Sequence, residues 1–354
     1  MLTTAQIRNL TVFKHADLEF ASGLNVIVGE NGSGKSHLLK ALYALIATSA
    51  QEGASSLIDD RSRAPTKTGL QKAFADKLIG VMRPESLGRL VRRKQGRERC
   101  EIGLFFGDTT LKTGIRFSTN SKTDVEVEWL PTTWQDKVPI FIPTREVLSQ
   151  YHWLSPLYRT AHVDIEENLI DLCDLLGALA LKGPREKTIA KLLAPLEDAM
   201  GGKVILDQNG RFYLSLPGSG KMEMPLVAEG LRKLAMVARL ISTGSLLDKG
   251  YLFWDEPEAN LNPKLIKVIA VLLLDLSQHG MQVIVATHSF FLLKELDMLS
   301  RQRHQPVRYM GLYAGDDGTK VQQVEQLANL DHLTTLDEEL AQYDRELEIN
   351  ANHR

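Results

Sequence analysis

The octapeptide Gly29-Glu30-Asn31-Gly32-Ser33-Gly34-Lys35-Ser36 constrains this chain more than any other stretch of it. It satisfies G-x-x-x-x-G-K-[ST], and its flanks are those the motif requires. Leu24–Val28 (LNVIV) is a continuous apolar run that fits a buried strand, and from Ser36 onward Leu38, Leu42 and Leu45 recur at helical spacing until Thr48–Ser56, where the pattern predicts a break. Strand, glycine-rich turn and helix in that order present backbone N–H groups at a helix N-terminus, where the aligned peptide dipoles favour an anion. Lys35 is placed to reach the β- and γ-phosphates of a nucleotide, and Ser36 to offer its hydroxyl to Mg²⁺. The expected nucleotide-binding run is Gly29 through Ser36 with His37 beside it.

A site of this kind needs an acidic residue at a neighbouring strand end. Tyr251-Leu252-Phe253-Trp254 leads into Asp255 and Glu256. Asp255 is expected to hold the metal. Glu256, one residue beyond, is expected to take the proton from the water that attacks the γ-phosphate. Val283–Ala286 leads into Thr287-His288-Ser289, a third strand end from which His288 would contact the γ-phosphate. A strand-end acid or a lone histidine is usually structural, so both assignments draw their weight from the phosphate loop.

At 354 residues the chain has room for about two domains. The pattern instead predicts an N-terminal strand pair over 5–20, a helix near 70–82, three strands near 100–106, 111–117 and 125–130, and a short strand at 139–142. Two helices follow at 163–181 and 185–200, then a hairpin around Asn209-Gly210, the strongest two-residue turn signal in the chain. Helix, strand, helix, strand from Ala228 to Ala286 continues an α/β sheet, and a second hairpin turns at 315–318. The chain ends in an acidic helix with Leu333, Leu336, Leu340, Tyr343 and Leu347 on one stripe. That stripe either packs on its own domain, the commoner case, or docks a partner.

Lys and Arg number 42 against 44 Asp and Glu, a balance of −2 that excludes a globally basic nucleic-acid coat. Cys100 and Cys173 cannot build a disulfide framework or a cysteine zinc site, which suits a reducing compartment. No apolar run approaches the ~18 residues of a membrane span, and the N-terminus lacks a signal-peptide layout. A soluble, cytoplasmic protein without a membrane partner is expected.

In this order the pieces resemble the ABC-type ATPase superfamily, in the branch that contains RecF, SMC heads and OLD-type ATPases. The likeness is greatest to the Toprim-less AAA-family ATPases of bacterial anti-phage defence systems. It covers residues 1–48 and 226–295 well, from the opening GLNVIVGENGSGKS to the Asp-Glu-Pro-Glu run. It implies a P-loop NTPase of α/β class with an ABC-ATPase-like mixed sheet, an antiparallel β side lobe and an inserted helical lobe. The implied division is a discontinuous core of residues 1–50 and 202–326, an insert of 51–201, and a C-terminal acidic helix over 327–354. Val227–Leu234 takes the place of the ABC signature, so that Ala228, Glu229 and Gly230 would face the nucleotide of an opposite subunit. Ala228 departs from the pattern, since a serine normally stands there, and the lost hydrogen bond to a charged phosphate is worth about 1.5–3 kcal/mol.

The resemblance also implies that the loop after Glu256 crosses the dimer interface with Asn260 and Asn262. Asn262 is equally a preferred N-cap ahead of Pro263. The family's Mg²⁺-assisting glutamine has two candidates here, Gln150, which lies late for that role, and Glu146, which is nearer, and neither is assigned. The implied function is an ATP- and Mg²⁺-dependent homodimer, or a higher homo-oligomer, that switches a separate effector such as a nuclease or toxin. The stretch after Ser300 is too short for the Toprim domain of full OLD nucleases, so the chain is not expected to cut nucleic acid itself. The alternative is a RecF-like DNA-repair ATPase, for which Arg89, Arg92, Arg93, Lys94, Arg97 and Arg99 would track a phosphate backbone. A solvated loop is favoured for that run, because no aromatic residues interleave its charges.

Overall fold

The structure is a computed structural model, and it describes residues 1–58, 64–92, 98–161, 163–181, 183, 186–247 and 250–352. The chain opens with β1 (Leu2–Leu10), β2 (Phe13–Glu19) and β3 (Leu24–Gly29), then α1 (Lys35–Ile58) and α2 (Lys67–Met82). β4 (Arg99–Phe106), β5 (Thr113–Ser118), β6 (Glu126–Trp129) and β7 (Ile140–Ile142) follow, then α3 (Tyr151–Ala161), α4 (Glu167–Gly177) and α5 (Glu186–Met200). After β8 (Lys203–Leu206), β9 (Phe212–Leu216) and β10 (Gly220–Glu223) come α6 (Glu229–Ser242), β11 (Gly250–Asp255), α7 (Pro263–Gln278) and β12 (Met281–Thr287). The chain finishes with α8 (Phe290–Gln302), β13 (Val307–Gly315), β14 (Gly318–Val324) and α9 (Thr334–Asn352).

A six-stranded sheet runs β14-β13-β3-β12-β11-β7, parallel except for β14. Its central strands read as unbroken apolar runs because both faces are covered. Val26, Val28, Leu252, Trp254, Val283 and Val285 face a core shared with α6, α7 and α8, whereas Ile27, Phe253, Ile284 and Ala286 face a core shared with α1 and α2. A five-stranded antiparallel sheet, β2-β1-β4-β5-β6, packs its alternating apolar face into that second core. A three-stranded sheet, β10-β9-β8, lies with the helical lobe. This is the α/β mixed-sheet architecture with antiparallel side sheets that the sequence led us to expect.

Several local expectations need correction. β1 and β2, inside residues 1–50, belong to the side sheet, while β7, inside 51–201, is the edge strand of the main sheet. α1 does not break at Thr48–Ser56 but continues to Ile58. The hydroxyls of Thr48 and Ser56 donate to Ala44 O and Gly53 O within the helix, so these residues do not terminate it. α3 and α8 had not been expected, and the helix expected over 163–181 is the shorter α4. β10 pairs with β9 although all its side chains are exposed and leave no apolar signature. Of the C-terminal stripe, Leu333 is buried and Leu336 packs on the core, but Tyr343 and Leu347 are exposed.

The helical lobe is fastened to α1 and α2 by a half-buried polar cluster around the buried Lys77. Lys77 Nζ donates to Asp171 Oδ2 (2.7 Å) and Glu167 Oε1 (2.8 Å), and Asp171 also accepts from Tyr43 Oη (2.5 Å) and Gln51 Nε2 (3.0 Å). Burial pushes the Tyr43 pKa well up, with the Asp171 carboxylate beside it adding to the shift. Lys77→Ala leaves two part-buried carboxylates without their cation and is expected to destabilise the fold by about 2–3 kcal/mol, read from guanidinium unfolding. A loss below about 1 kcal/mol would show that the cluster is solvated.

Candidate functional site: a phosphate loop and three strand ends

Parallel pairing brings the C-terminal ends of β3, β12 and β11 to one edge: Thr287 is level with Val28, and Ala286 with Asp255. Every expected site residue of the three motifs is therefore gathered at this edge. The loop after β3 needs glycine at Gly34, where φ is +97° and a Cβ would lie 2.5 Å from the Val12 side chain. Lys35, the first residue of α1, folds back over the loop and donates to Gly29 O (2.6 Å) and Glu30 O (2.9 Å). Burial lowers the Lys35 pKa, opposed by the charges of Glu256, Asp255, Glu258 and Glu30. Glu30 accepts from Thr334 Oγ1 (2.6 Å), which pins the start of α9 beside the loop, and His37 Nδ1 lies 3.2 Å from Thr11 Oγ1. Asn31 and Gly32 are exposed, and Ser33 O accepts from Thr319 Oγ1.

Asp255 is buried, which raises its pKa; the Ser36 hydroxyl is the main group opposing that shift. Among the described residues Asp255 Oδ1 has no hydrogen-bond partner. An orphaned carboxylate oxygen beside a hydroxyl is the hard-oxygen pair that Mg²⁺ takes alongside phosphate and water, so the residues present fit that ion. Ser36 and Asp255 open onto a cleft of about 770 Å³ that Glu146, Gln150, Glu229, Arg232 and Asn260 also line.

Glu256 adopts φ +48°, with its N–H donating to Ala286 O (2.9 Å) and its Oε1 3.1 Å from His288 Nδ1. Glu258, which had been noted only as part of the Asp-Glu-Pro-Glu run, proves structural to the edge. Its Oε1 accepts from Thr287 Oγ1 (2.6 Å) and the His288 N–H (3.3 Å). Asn262 caps α7, its side chain accepting from Leu265 N (3.0 Å), and Asn260 is exposed at φ +63°.

Ala228 stands at the N-cap position of α6 with no side-chain cap, and Ala228 and Glu229 are exposed. Gly230 is buried. A Cβ there would meet Asn260 O at 2.6 Å, so close packing under the loop requires glycine independently of any nucleotide. The two candidates for the glutamine position now differ in their surroundings. Glu146 is committed, accepting from Ser149 N and Oγ and pairing with Arg232 Nε (2.7 Å). Gln150 is exposed and, among the described residues, its side chain makes no hydrogen bond.

Of the basic run, Arg93, Lys94 and Arg97 lie outside the described residues. Arg89 pairs with Glu85 and Arg92 with Asp317, while Arg99 begins β4. Sequence reasoning missed Lys40, which pairs with Glu166 (2.6 Å) at the cleft, and Lys233, which is buried under the Glu256 loop. The Lys233 signal was readable, since a charge one turn before Val237 and two before Ile241 interrupts the apolar face of an amphipathic helix.

Fold and site together define a P-loop nucleotide-binding protein built on the ABC-ATPase plan. The chain belongs to the family described as "AAA domain, putative AbiEii toxin, Type IV TA system", which matches it over residues 24–294. Among curated proteins it is 41% identical over 44 residues to the DNA replication and repair protein RecF of Bacillus mycoides (strain KBAB4), covering 12% of each chain. It is 41% identical over 49 residues to an ATP/GTP phosphatase of Helicobacter pylori (strain ATCC 700392 / 26695), covering 14% of this chain and 13% of that one. The matched stretch thus spans about an eighth of the length of those relatives. Among solved structures, an SMC head bound to the C-winged helix domain of ScpA superposes with a TM-score of 0.58 at 16% identity, covering 92% of this chain and 98% of the other. An SMC head with an extended coiled coil, bound to the C-terminal domain of ScpA derived from Pyrococcus furiosus, gives 0.50 at 14% identity, covering 97% and 99%. These structural likenesses bear on the fold.

Proposed function

We propose that this protein binds and hydrolyses ATP with Mg²⁺, closing as a homodimer around the nucleotide and thereby switching a separate effector, a nuclease or toxin, in cytoplasmic anti-phage defence. The observation that carries the reading is the meeting of Lys35, Ser36, Asp255, Glu256 and His288 at one sheet edge. In this reading the N–H groups at the start of α1 and the Lys35 ammonium hold the phosphates. Ser36 and Asp255 would hold Mg²⁺, with Gln150 lining the same cleft, and the ion would supply charge neutralisation to the phosphates. Glu256 Oε1 takes a proton from the attacking water, and His288 Nδ1, beside it, orients that carboxylate.

Dimer closure is supported by the uncapped start of α6 next to Leu226, a leucine 73% exposed. Apolar surface and unsatisfied N–H groups at one spot suit a partner that brings phosphate. Asn260, Ala228 and Glu229 are exposed, and Asn260 and Glu229 line the cleft, as a composite site between two copies needs. The toxin–antitoxin wording attached to the family supports a defence setting, and the ScpA-bound SMC heads support a partner protein in general terms. Two buried free cysteines suit a reducing compartment, and among the described residues no helix is long and apolar enough to cross a membrane. The short RecF match supports a second reading, DNA binding in repair, although Arg89 and Arg92 are already ion-paired.

The test is ATP turnover of the purified protein together with sedimentation. Phosphate release that stops when EDTA removes Mg²⁺, with a shift to dimer on adding ATP, is expected. Dimerisation independent of nucleotide, or turnover indifferent to EDTA, would contradict the proposal.

A further inference from the structure

Lys233 lies in the second turn of α6 with 2% of its surface exposed. Its ammonium donates to Glu256 O (2.9 Å) and Ala259 O (3.0 Å), two main-chain carbonyls in the loop after β11. Among the described residues no carboxylate lies within ion-pair distance of it. The charges of Glu258, Glu256, Glu229 and Asp255 act from farther off, and burial still draws its pKa down to about 8. A buried cation held only by carbonyls is costly, and an unbranched apolar side chain would fill the same space without that cost.

The backbone it holds is strained. Glu256 (φ +48°) and Asn260 (φ +63°) are the first and last residues of one turn, and both occupy the left-handed region that residues with a Cβ seldom adopt. Such conformations persist only where the surroundings over-determine them. Lys233 supplies two of those constraints, and the Glu256 N–H to Ala286 O supplies another. The same helix touches the turn a second time, where Gly230 packs beneath Asn260 O. The first two turns of α6 and the turn from Glu256 to Asn260 are therefore one mechanical unit, with the exposed Ala228–Glu229 end at one extremity and the Glu256 carboxylate at the other.

We infer that Lys233 is a positioning residue for ATP hydrolysis: it ties the Glu256 turn to α6, so that engagement of the Ala228–Gly230 end by a second copy's nucleotide sets the orientation of Glu256 in this copy. The inference rests on the ATPase reading above. Lys233 exchanges no proton and touches no substrate, acting only through the two carbonyls.

The experiment compares full-length wild type, Lys233→Met, Lys233→Gln and Lys233→Arg by steady-state ATP turnover and thermal unfolding. Lys233→Met is expected to stay folded at the assay temperature, the loss of a buried charge offsetting the two carbonyls it leaves unpaired, yet to lose at least ten-fold in kcat with KM for ATP within two-fold. Lys233→Arg, which returns a cation with several donors, should recover at least three-fold of that loss. A merely structural role gives the opposite pattern, a lower melting temperature with kcat following the folded fraction, and that result overturns the inference. So does a kcat within two-fold of wild type in the Met variant, or an Arg variant no better than Met. If Met fails to fold, Gln must show the same split, and if neither folds Lys233 is structural and the inference fails. Absence of turnover in wild type overturns the ATPase reading itself, and it is seen before any variant is compared.

Discussion

Glu256→Gln is expected to reduce ATP turnover by about 10²- to 10⁴-fold while ATP remains bound, the range over which a positioned general base contributes. The amide keeps the length of the side chain, and its oxygen can still accept from His288, now 3.1 Å from Glu256 Oε1, so the geometry of the edge should survive. What it cannot do is take a proton. Because hydrolysis is the step that would release a nucleotide shared by two copies, the variant is also expected to accumulate as an ATP-bound dimer in sedimentation, where wild type relaxes to monomer as ATP is consumed. Turnover equal to wild type would remove Glu256 as the base.

Lys35→Ala is expected to abolish measurable ATP binding. The ammonium now spends two donors on Gly29 O and Glu30 O, so it is already poised over the cradle. Exchanging those carbonyls for phosphate oxygens would make charge-assisted bonds worth about 1.5–3 kcal/mol each. Losing two of them corresponds to an affinity loss on the order of 10²- to 10⁴-fold. Calorimetric titration with ATP reads this directly, and circular dichroism checks that α1, which starts at Lys35, still forms. Retained affinity would mean that the nucleotide lies elsewhere.

The nucleotide edge was legible in the sequence because each of its parts is local. A strand followed by Gly29–Ser36, a strand ending at Asp255, and a strand running into His288 each carry their signature within about ten residues. What brings them level is the parallel register, which no local pattern encodes. The same reason hid Glu258 and the role of Lys233, whose place on the apolar face of α6 was readable but whose partners were not: these are carbonyls and a hydroxyl 23 to 29 positions away, not side chains at a motif spacing. Gly230 was legible as a signature glycine but not as a packing glycine, since Asn260 O approaches it only in the folded chain. α3 escaped because Pro156 in its interior argues against a helix, although Leu154, Leu157 and Tyr158 recur at helical spacing. The continuation of α1 past Thr48 escaped because the hydroxyls that argue for a stop bond back into the helix itself.

The order of strands in the main sheet has a consequence for how the protein is made. β3, which carries the phosphate loop, lies between β12 and β13, and Leu2 and Ala21 are bonded to the buried amide of Gln282. Both neighbours of β3, β12 and β13, thus leave the ribosome long after it, roughly tens of seconds later at ~5–20 residues per second. Until then β3 has two open edges, each a template for adventitious strand pairing. The nascent chain thus carries the whole phosphate loop on a strand with open edges, and the full nucleotide edge cannot assemble until β11 and β12 have followed it out.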